Sequence, residues 1–247
     1  MSEAFYLPIC EFDTIEAGYT ACNIAGRGFP FVVRHANMNA SETSIRCQIR
    51  LEKKIKGYAG GLSHTLSGLE ALTAFDDGSL TFNVVDSAST RGHSALLPIA
   101  LAKIGKESDI RESLWLAYVI SPASIEIGCL HNDPCLGSGW QYLASGRKQW
   151  YIIDDKNPAF SLSKYNATEA SQVAPNMIDI ASSMGKEKIF STVIESGDFI
   201  SCPMNWPHAV FTFERTLGLS GYTATPELRL IALANAAIAA CNDDKTV

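Results

Sequence analysis

The stretch 197-GDFISCPMNWPH-208 decides how this chain is expected to fold. Gly197 and Asp198 predict a tight turn into a strand. Pro203 then ends the regular pairing of that strand, because proline has no backbone N–H to donate to a ladder. Trp206-Pro207-His208 follows and brings an imidazole back toward a strand much earlier in the chain. The stretch therefore predicts that a strand at its end lies beside another strand that is far away in the sequence.

The earlier strand is predicted around His131-Asn132-Asp133. Side chains two residues apart on an extended segment share one face, so His131 and Asp133 point the same way. Two imidazoles and one carboxylate on one side of a metal ion leave the opposite positions open, which is the arrangement used by non-haem Fe(II) oxygenases. His131, Asp133 and His208 together predict a catalytic metal site.

The bulk composition describes an ordinary globular chain. Of the 247 residues, 47% are hydrophobic and 19% are charged, and the formal net charge is −6. No run of Lys or Arg exceeds two residues, which argues against a dedicated nucleic-acid binder. We find no signal peptide and no apolar run long enough to span a bilayer, and the seven cysteines form no CxxC pair. A reducing, cytosolic location is expected.

Short β-like segments between turn signals predict a barrel or jelly roll in a single domain, 1–247. Strands are expected at 29–33, 43–51, 80–85, 114–120, 124–130, 140–144, 149–153, 189–195, 198–202, 209–213 and 217–222. Helices are expected at 14–25, 67–75, 98–104, 177–184 and 226–241. The polar segment 154–187 and the loop 87–94 are the places where a substrate lid is expected.

A third motif, Gly146-Arg147-Lys148-Gln149-Trp150, lies between the two metal-ligand motifs. The three motifs in this order resemble those of the JmjC-type and related cupin-like 2-oxoglutarate oxygenases, over about residues 114–225. The resemblance implies a mainly β fold with flanking helices, a double-stranded β-helix of the cupin or jelly-roll kind. Variable N-terminal elements (1–110) would precede the β-helix core (111–225), and a C-terminal helix (226–247) would follow it.

The same resemblance implies roles for individual residues. His131, Asp133 and His208 would bind Fe(II), and Lys148 would pair with the distal carboxylate of 2-oxoglutarate, as a compact point charge. Arg215 is the alternative anchor, since other branches of the superfamily place an Arg after the distal His. The chain departs from the family at the third residue before His131, which is Gly128 where relatives often have a hydroxyl donor. The hydroxyls of Ser138, Tyr142 and Ser220 would bind the cosubstrate instead, or would serve structure alone.

The leading hypothesis is an oxygenase that uses Fe(II), 2-oxoglutarate and O₂ to hydroxylate an unactivated C–H bond of a small metabolite, amino acid or peptide, releasing succinate and CO₂. Because Asp133 is present, hydroxylation is expected rather than halogenation. The alternatives are a JmjC-type hydroxylase or demethylase of protein side chains, a cupin-like dioxygenase that does not use 2-oxoglutarate, and a non-catalytic cupin-like binding protein. No nucleic-acid or membrane partner is expected. The helix 226–241 is expected to pack either on its own barrel or on a partner subunit, which would make a homodimer.

Overall fold

A computed structural model describes residues 6–22, 28–36, 38–52, 54–59, 62–88, 116–123, 131, 138–154, 189–203 and 206–223. Within these residues there are three helices, α1 (Ile15–Cys22), α2 (Glu42–Gln48) and α3 (Gly68–Asp77). The strands are β1 (Leu7–Pro8), β2 (Cys10–Phe12), β3 (Phe31–Val33), β4 (Lys54–Ala59), β5 (Leu62–Ser67), β6 (Asn83–Ala88), β7 (Leu116–Ser121), β8 (Ser138–Ser145), β9 (Arg147–Ile153), β10 (Ile189–Glu195), β11 (Phe199–Cys202), β12 (His208–Thr212) and β13 (Thr216–Thr223).

The strands form two mixed sheets, which confirms the prediction of a mainly β fold. The small sheet has the order β1-β10-β9-β12, and the large sheet has the order β2-β3-β11-β8-β13-β7-β6-β4-β5. Two pairings, β1 with β10 and β2 with β3, are parallel, and the other pairings of these strands are antiparallel. Strands on both sides of residue 110 share the large sheet, since β6 pairs with β7 and β3 pairs with β11.

The large sheet is covered on both faces. One face packs against the three helices and forms an apolar core around Phe31, Trp140 and Phe199. The other face packs against the small sheet, where Val32, Leu143 and Ile200 meet Trp150, Ile152 and Ile194. The structure is therefore a layer of helices, the large sheet, and the small sheet. We refer to the space between the two sheets as the inter-sheet space.

Helix α3 forms where the sequence predicts a helix. Ser67 is its N-cap and accepts a hydrogen bond from the Glu70 backbone N–H at 3.1 Å, while the Glu70 carboxylate accepts one from the Ser67 backbone N–H. This is a capping box, which satisfies two N–H groups at the helix start. Gly78 ends the helix in the left-handed conformation, with φ 81°. The predicted helix 14–25 is also present, as α1 over Ile15–Cys22.

The prediction of a strand at 43–51 was wrong, because this segment contains helix α2. The apolar and polar residues alternate here, but Ile45 is the buried residue of the helix. Local interactions favour the helix instead: the Ser41 hydroxyl accepts from the Ser44 N–H at 3.1 Å, and Arg46 pairs with Glu42 one turn earlier. Capping and i,i+4 pairing outweigh a period-2 pattern that spans a single segment.

The hairpin β4–β5 was not predicted. The glycines at 57–61 predict a break, yet Gly57 lies within β4 and pairs with His64. The predicted strands 80–85 and 209–213 are shifted to β6 and β12, while the strand predicted at 189–195 is β10 with the same bounds. The segments predicted at 98–104, 124–130, 177–184 and 226–241 lie outside the described residues, as does most of the lid candidate at 154–187. In the described part of the chain, every helix is too short or too polar to cross a bilayer.

Candidate functional site

His131 and His208 lie side by side at one end of the small sheet. The two residues form an isolated antiparallel bridge, in which the backbone N–H of each donates to the carbonyl of the other at 3.0 and 2.9 Å. Their ring centroids are 4.4 Å apart. His208 is buried and His131 is exposed, so the pair lies at the edge between the interior and the surface. The structure thus brings together two imidazoles that are far apart in sequence.

Three neighbours hold the His208 ring in place. Its Nδ1 lies 3.1 Å from the Trp206 carbonyl oxygen and 3.6 Å from the Cys202 sulfur. A carbonyl oxygen only accepts, so Nδ1 carries the hydrogen of this contact. The Trp150 indole stacks on the imidazole, with ring centroids 5.3 Å apart and planes at 25°. A histidine whose Nδ1–H donates to a carbonyl has the tautomer and orientation of a metal ligand.

The third predicted ligand, Asp133, lies outside the described residues. Among the residues that the structure does describe, no group of three or more His, Cys, Asp or Glu side chains is placed to hold a metal ion. Asp198, the nearest buried carboxylate in sequence to His208, is used elsewhere. It accepts from Arg34 Nη1 at 2.7 Å and from the backbone N–H groups of His35 and Glu195 at 3.1 and 3.0 Å.

Lys148 is buried in the inter-sheet space with only 4% of its surface exposed. Its amine donates to the Ser121 hydroxyl oxygen at 2.9 Å. No acidic side chain of the described residues forms an ion pair with it, and burial lowers the pKa of Lys148 to about 7. A buried amine without a counter-ion is costly in the charged form, so burial here favours the neutral amine.

The turn between β8 and β9 puts Lys148 in this position. Gly146 has φ 83° and a Cβ there would overlap the Arg215 carbonyl oxygen, so the turn requires glycine. From Gly146 the chain leaves the large sheet and enters the small one as β9. Lys148, Trp150 and Ile152 then alternate inward.

The register places Lys148 and His208 on the same face of the small sheet. Lys148 pairs with Thr212, and His208 pairs with Ile152 on the same two strands. Four residues along a strand span about 13 Å, so the amine and the imidazole approach a common space from its two ends.

Unpartnered polar atoms line the space between these two ends. Among the described residues, buried side-chain atoms without a hydrogen-bond partner include Gln141 Oε1, Thr216 Oγ1 and Trp150 Nε1. Gln141 lies opposite Ile200, and Thr216 lies opposite Ser121, so both face the small sheet. Buried polar groups are normally satisfied, so these three atoms are exceptions on the inner faces of the two sheets.

The other predicted cosubstrate residues lie elsewhere. Tyr142 belongs to the apolar core under the helices, and Ser138 shares its face of β8 by the alternation of the strand. Ser220 faces the inter-sheet space, but its hydroxyl donates to the Trp140 carbonyl at 3.0 Å. Arg215 is exposed and donates to the carbonyl oxygens of Phe75 and Asp76 at the end of α3. Tyr142, Ser138 and Arg215 therefore take no part in the candidate site as the structure has it.

Ser121, Gln141 and Thr216 were not identified from the sequence. Each is a common polar residue in a strand, and β8 is buried on both faces, so the sequence carries no sign of which face holds the ligand. The alternation of β9 was the usable signal in the sequence. It places the Lys148 side chain on the inner face of its own sheet, so a residue of the opposite sheet that contacts Lys148 must also lie on an inner face.

No protein-family model matches this chain, and no curated protein shows significant sequence similarity to it. The function therefore has to be argued from the geometry of the site and from the sequence motifs.

Proposed function

We propose that this chain is an Fe(II)- and 2-oxoglutarate-dependent oxygenase on a double-stranded β-helix. The observation that carries the proposal is the small sheet, where the His131–His208 pair lies at one end of strands β9 and β12 and the buried amine of Lys148 lies toward the other. An iron site and an anion site in this relation suit a cosubstrate that chelates the metal with one end and presents a carboxylate at the other.

The order of the strands supports the fold part of the proposal. From β7 onward the strands are divided between the two sheets, with β7, β8, β11 and β13 in the large sheet and β9, β10 and β12 in the small one. All pairings among these strands are antiparallel. His131, between β7 and β8 in sequence, bridges to the outer edge of β12 in the small sheet. Antiparallel strands divided between two facing sheets in this way are the arrangement of a jelly-roll core.

The contact between the two imidazole rings supports the metal part of the proposal. His131 and His208 would hold Fe(II) together with Asp133, and the hydrogen bond from His208 Nδ1 to the Trp206 carbonyl would orient the imidazole for binding through Nε2. When bound, the metal and its cosubstrates would supply the oxidising power for C–H hydroxylation, releasing succinate and CO₂. The chain itself contributes position, charge and the exclusion of water.

Lys148 would bind the far carboxylate of the cosubstrate. With a pKa of about 7, the amine of the ligand-free protein is partly neutral at physiological pH, and an incoming carboxylate favours its protonated form. Ser121 accepts one N–H of the amine and so directs the remaining donors. The apolar residues around this end, among them Ile194 and Leu143, exclude water and strengthen the charge pairing.

A direct dioxygenase would have no need of a buried cation at the end of the pocket far from the metal. Lys148 therefore favours the 2-oxoglutarate-dependent reaction. For the substrate, we propose a small metabolite, amino acid or peptide.

The test is an anaerobic titration of Fe(II)-loaded protein with 2-oxoglutarate, followed by the weak visible charge-transfer absorption of the chelate. We expect the band in the wild-type protein and its loss in Lys148→Ala at the same cosubstrate concentration. Arg147→Ala is the matched control, because Arg147 is the adjacent cation on β9 but lies on the half-exposed outer face.

His131→Ala and His208→Ala should each lose Fe(II), which metal analysis after desalting measures. If iron binds but no band forms in the wild-type protein, a direct dioxygenase replaces the proposal. If both His variants retain iron as the wild type does, the metal site is wrong.

A further inference from the structure

Two buried indoles have N–H groups without an acceptor among the described residues, and they lie on different sides of the large sheet. Trp140 Nε1 is in the apolar core under the helices, while Trp150 belongs to the cluster between the sheets. Both side chains are more than nine-tenths buried, with exposures of 2% and 7%. A buried donor without an acceptor costs free energy unless a ligand supplies one.

The surroundings of Trp150 supply a reason for its unpartnered N–H. Trp150 lies on β9 between Lys148 and Ile152, and its ring stacks on His208. On the facing sheet, Thr216 Oγ1 is a second buried group that can donate and that, within the described part of the chain, is unpartnered. Trp150 thus lies on the inner face of the small sheet between the Lys148 and His208 ends of the candidate site.

We propose that the Trp150 indole N–H is a second ligand donor beside the Lys148 amine, so that an oxyanion between the sheets is bound from two successive inward positions of β9. The identity of the oxyanion as 2-oxoglutarate rests on the proposed function, whereas the donor role of Trp150 does not. Trp150 is a binding residue in this scheme, and its ring also orients His208.

The variant Trp150→Phe separates these two roles, because phenylalanine keeps an aromatic ring against His208 and removes the N–H. Trp140→Phe is the matched control, since it removes an equally unpartnered indole N–H on the other side of the large sheet. Calorimetric titrations would use two probes on Fe(II)-loaded, anaerobic protein: disodium 2-oxoglutarate, and disodium succinate, which lacks the 2-oxo group needed for chelation.

We expect Trp150→Phe to weaken binding of both probes by about tenfold or more, as loss of a hydrogen bond to a charged group does. Trp140→Phe should bind both as the wild type does, and Fe(II) content should be unchanged in both variants. Equal affinities of Trp150→Phe and wild type, in protein of unchanged thermal stability, would overturn the inference. So would wild-type protein that binds neither dicarboxylate.

The outcomes also separate this inference from the proposed function. Trp150-dependent binding of succinate without a charge-transfer band for 2-oxoglutarate would support the oxyanion site and remove the oxygenase proposal. A normal band that fails in Lys148→Ala but persists unchanged in Trp150→Phe would support the oxygenase and remove the donor role of Trp150.

Discussion

Lys148 shows how burial alone changes the chemistry of a residue. An exposed lysine on the same strand would be a solvated charge, whereas the Lys148 amine donates to the Ser121 hydroxyl and lies among apolar side chains. Its pKa falls because the charged form loses its hydration and gains no carboxylate from the described residues in return. Under the proposed function, an incoming carboxylate would restore the charged form that burial makes unfavourable.

This shift predicts a pH dependence of stability. Since the pKa is about 7 in the folded protein and 10.5 is the ordinary value for a solvated lysine, the unfolded chain binds one more proton between these values. The contribution of Lys148 to the free energy of unfolding should therefore rise with pH from about 7 to 10.5, by at most about 1.4 kcal/mol per pH unit. Urea unfolding at several pH values would measure this contribution, as the difference in the free energy of unfolding between the wild type and Lys148→Met.

The control for this prediction is Lys54→Met, because Lys54 is exposed on β4. The difference in the free energy of unfolding between Lys54→Met and the wild type should not change over the same pH range. A Lys148→Met difference that is equally flat would show that the amine titrates as an ordinary surface lysine and is not held in the inter-sheet space.

At the scale of elements, the β8–β9 turn has the greatest influence on the site. Gly146 and Gly78 both have left-handed backbones, with φ 83° and 81°. A Cβ at Gly78 would meet only the flexible guanidinium of Arg215 at 3.7 Å, whereas a Cβ at Gly146 would press on the backbone of Arg215 and on Thr216 Cγ2 at 2.6 Å. Both positions therefore require a residue that tolerates a left-handed backbone. Of the two, only Gly146 also has no room for a Cβ.

We expect Gly78→Ala to lower the free energy of unfolding by about 1–2 kcal/mol, the cost of a left-handed alanine. Gly146→Ala should cost a further 1–3 kcal/mol, roughly, because the new methyl group overlaps fixed backbone. Chemical denaturation of both variants measures the difference. Gly146→Ala should also weaken dicarboxylate binding by moving Lys148, while Gly78→Ala should leave it unchanged. Equal costs at the two positions would mean that the turn can shift without strain.

For the whole molecule, the site joins parts of the chain that are separate in sequence. β7 supplies Ser121, β9 supplies Lys148, and His208 begins β12. A ligand that bridges these elements binds the folded state alone, so it should stabilise the entire domain by mass action. The proposed ligands would therefore couple binding to global stability.

A thermal unfolding experiment tests this coupling. Fe(II) and 2-oxoglutarate together, each at about 100 times its dissociation constant, should stabilise the wild-type protein by more than about 2.7 kcal/mol, the value for one such ligand. Either the metal or the dicarboxylate alone should give less. His208→Ala should lose the joint effect, and Arg147→Ala should keep it. A joint effect that survives in His208→Ala would place the ligands outside the inter-sheet space.

The sequence alone determined those features that depend on local periodicity and capping. Strand β10, helix α3 with its capping box, and the inward position shared by Lys148 and Trp150 all follow from side-chain alternation or from hydrogen bonds within a few residues. The pairing of His131 with His208 was predicted from motifs, and the structure places the two rings in contact. Helix α2 was missed because a short period-2 pattern competed with a cap and an ion pair.

Only the tertiary structure decided which groups face the ligand space. Strand β8 is buried on both faces, so its sequence could not show that Gln141 faces the small sheet and Tyr142 faces the helices. The partner of Lys148 is Ser121, 27 residues earlier, and Arg215 is held at the end of α3 instead of pointing inward. The physical reason is that alternation along a strand only divides its residues between the two faces of a sheet. Whether a face contacts helices or another sheet depends on the layers that pack against it.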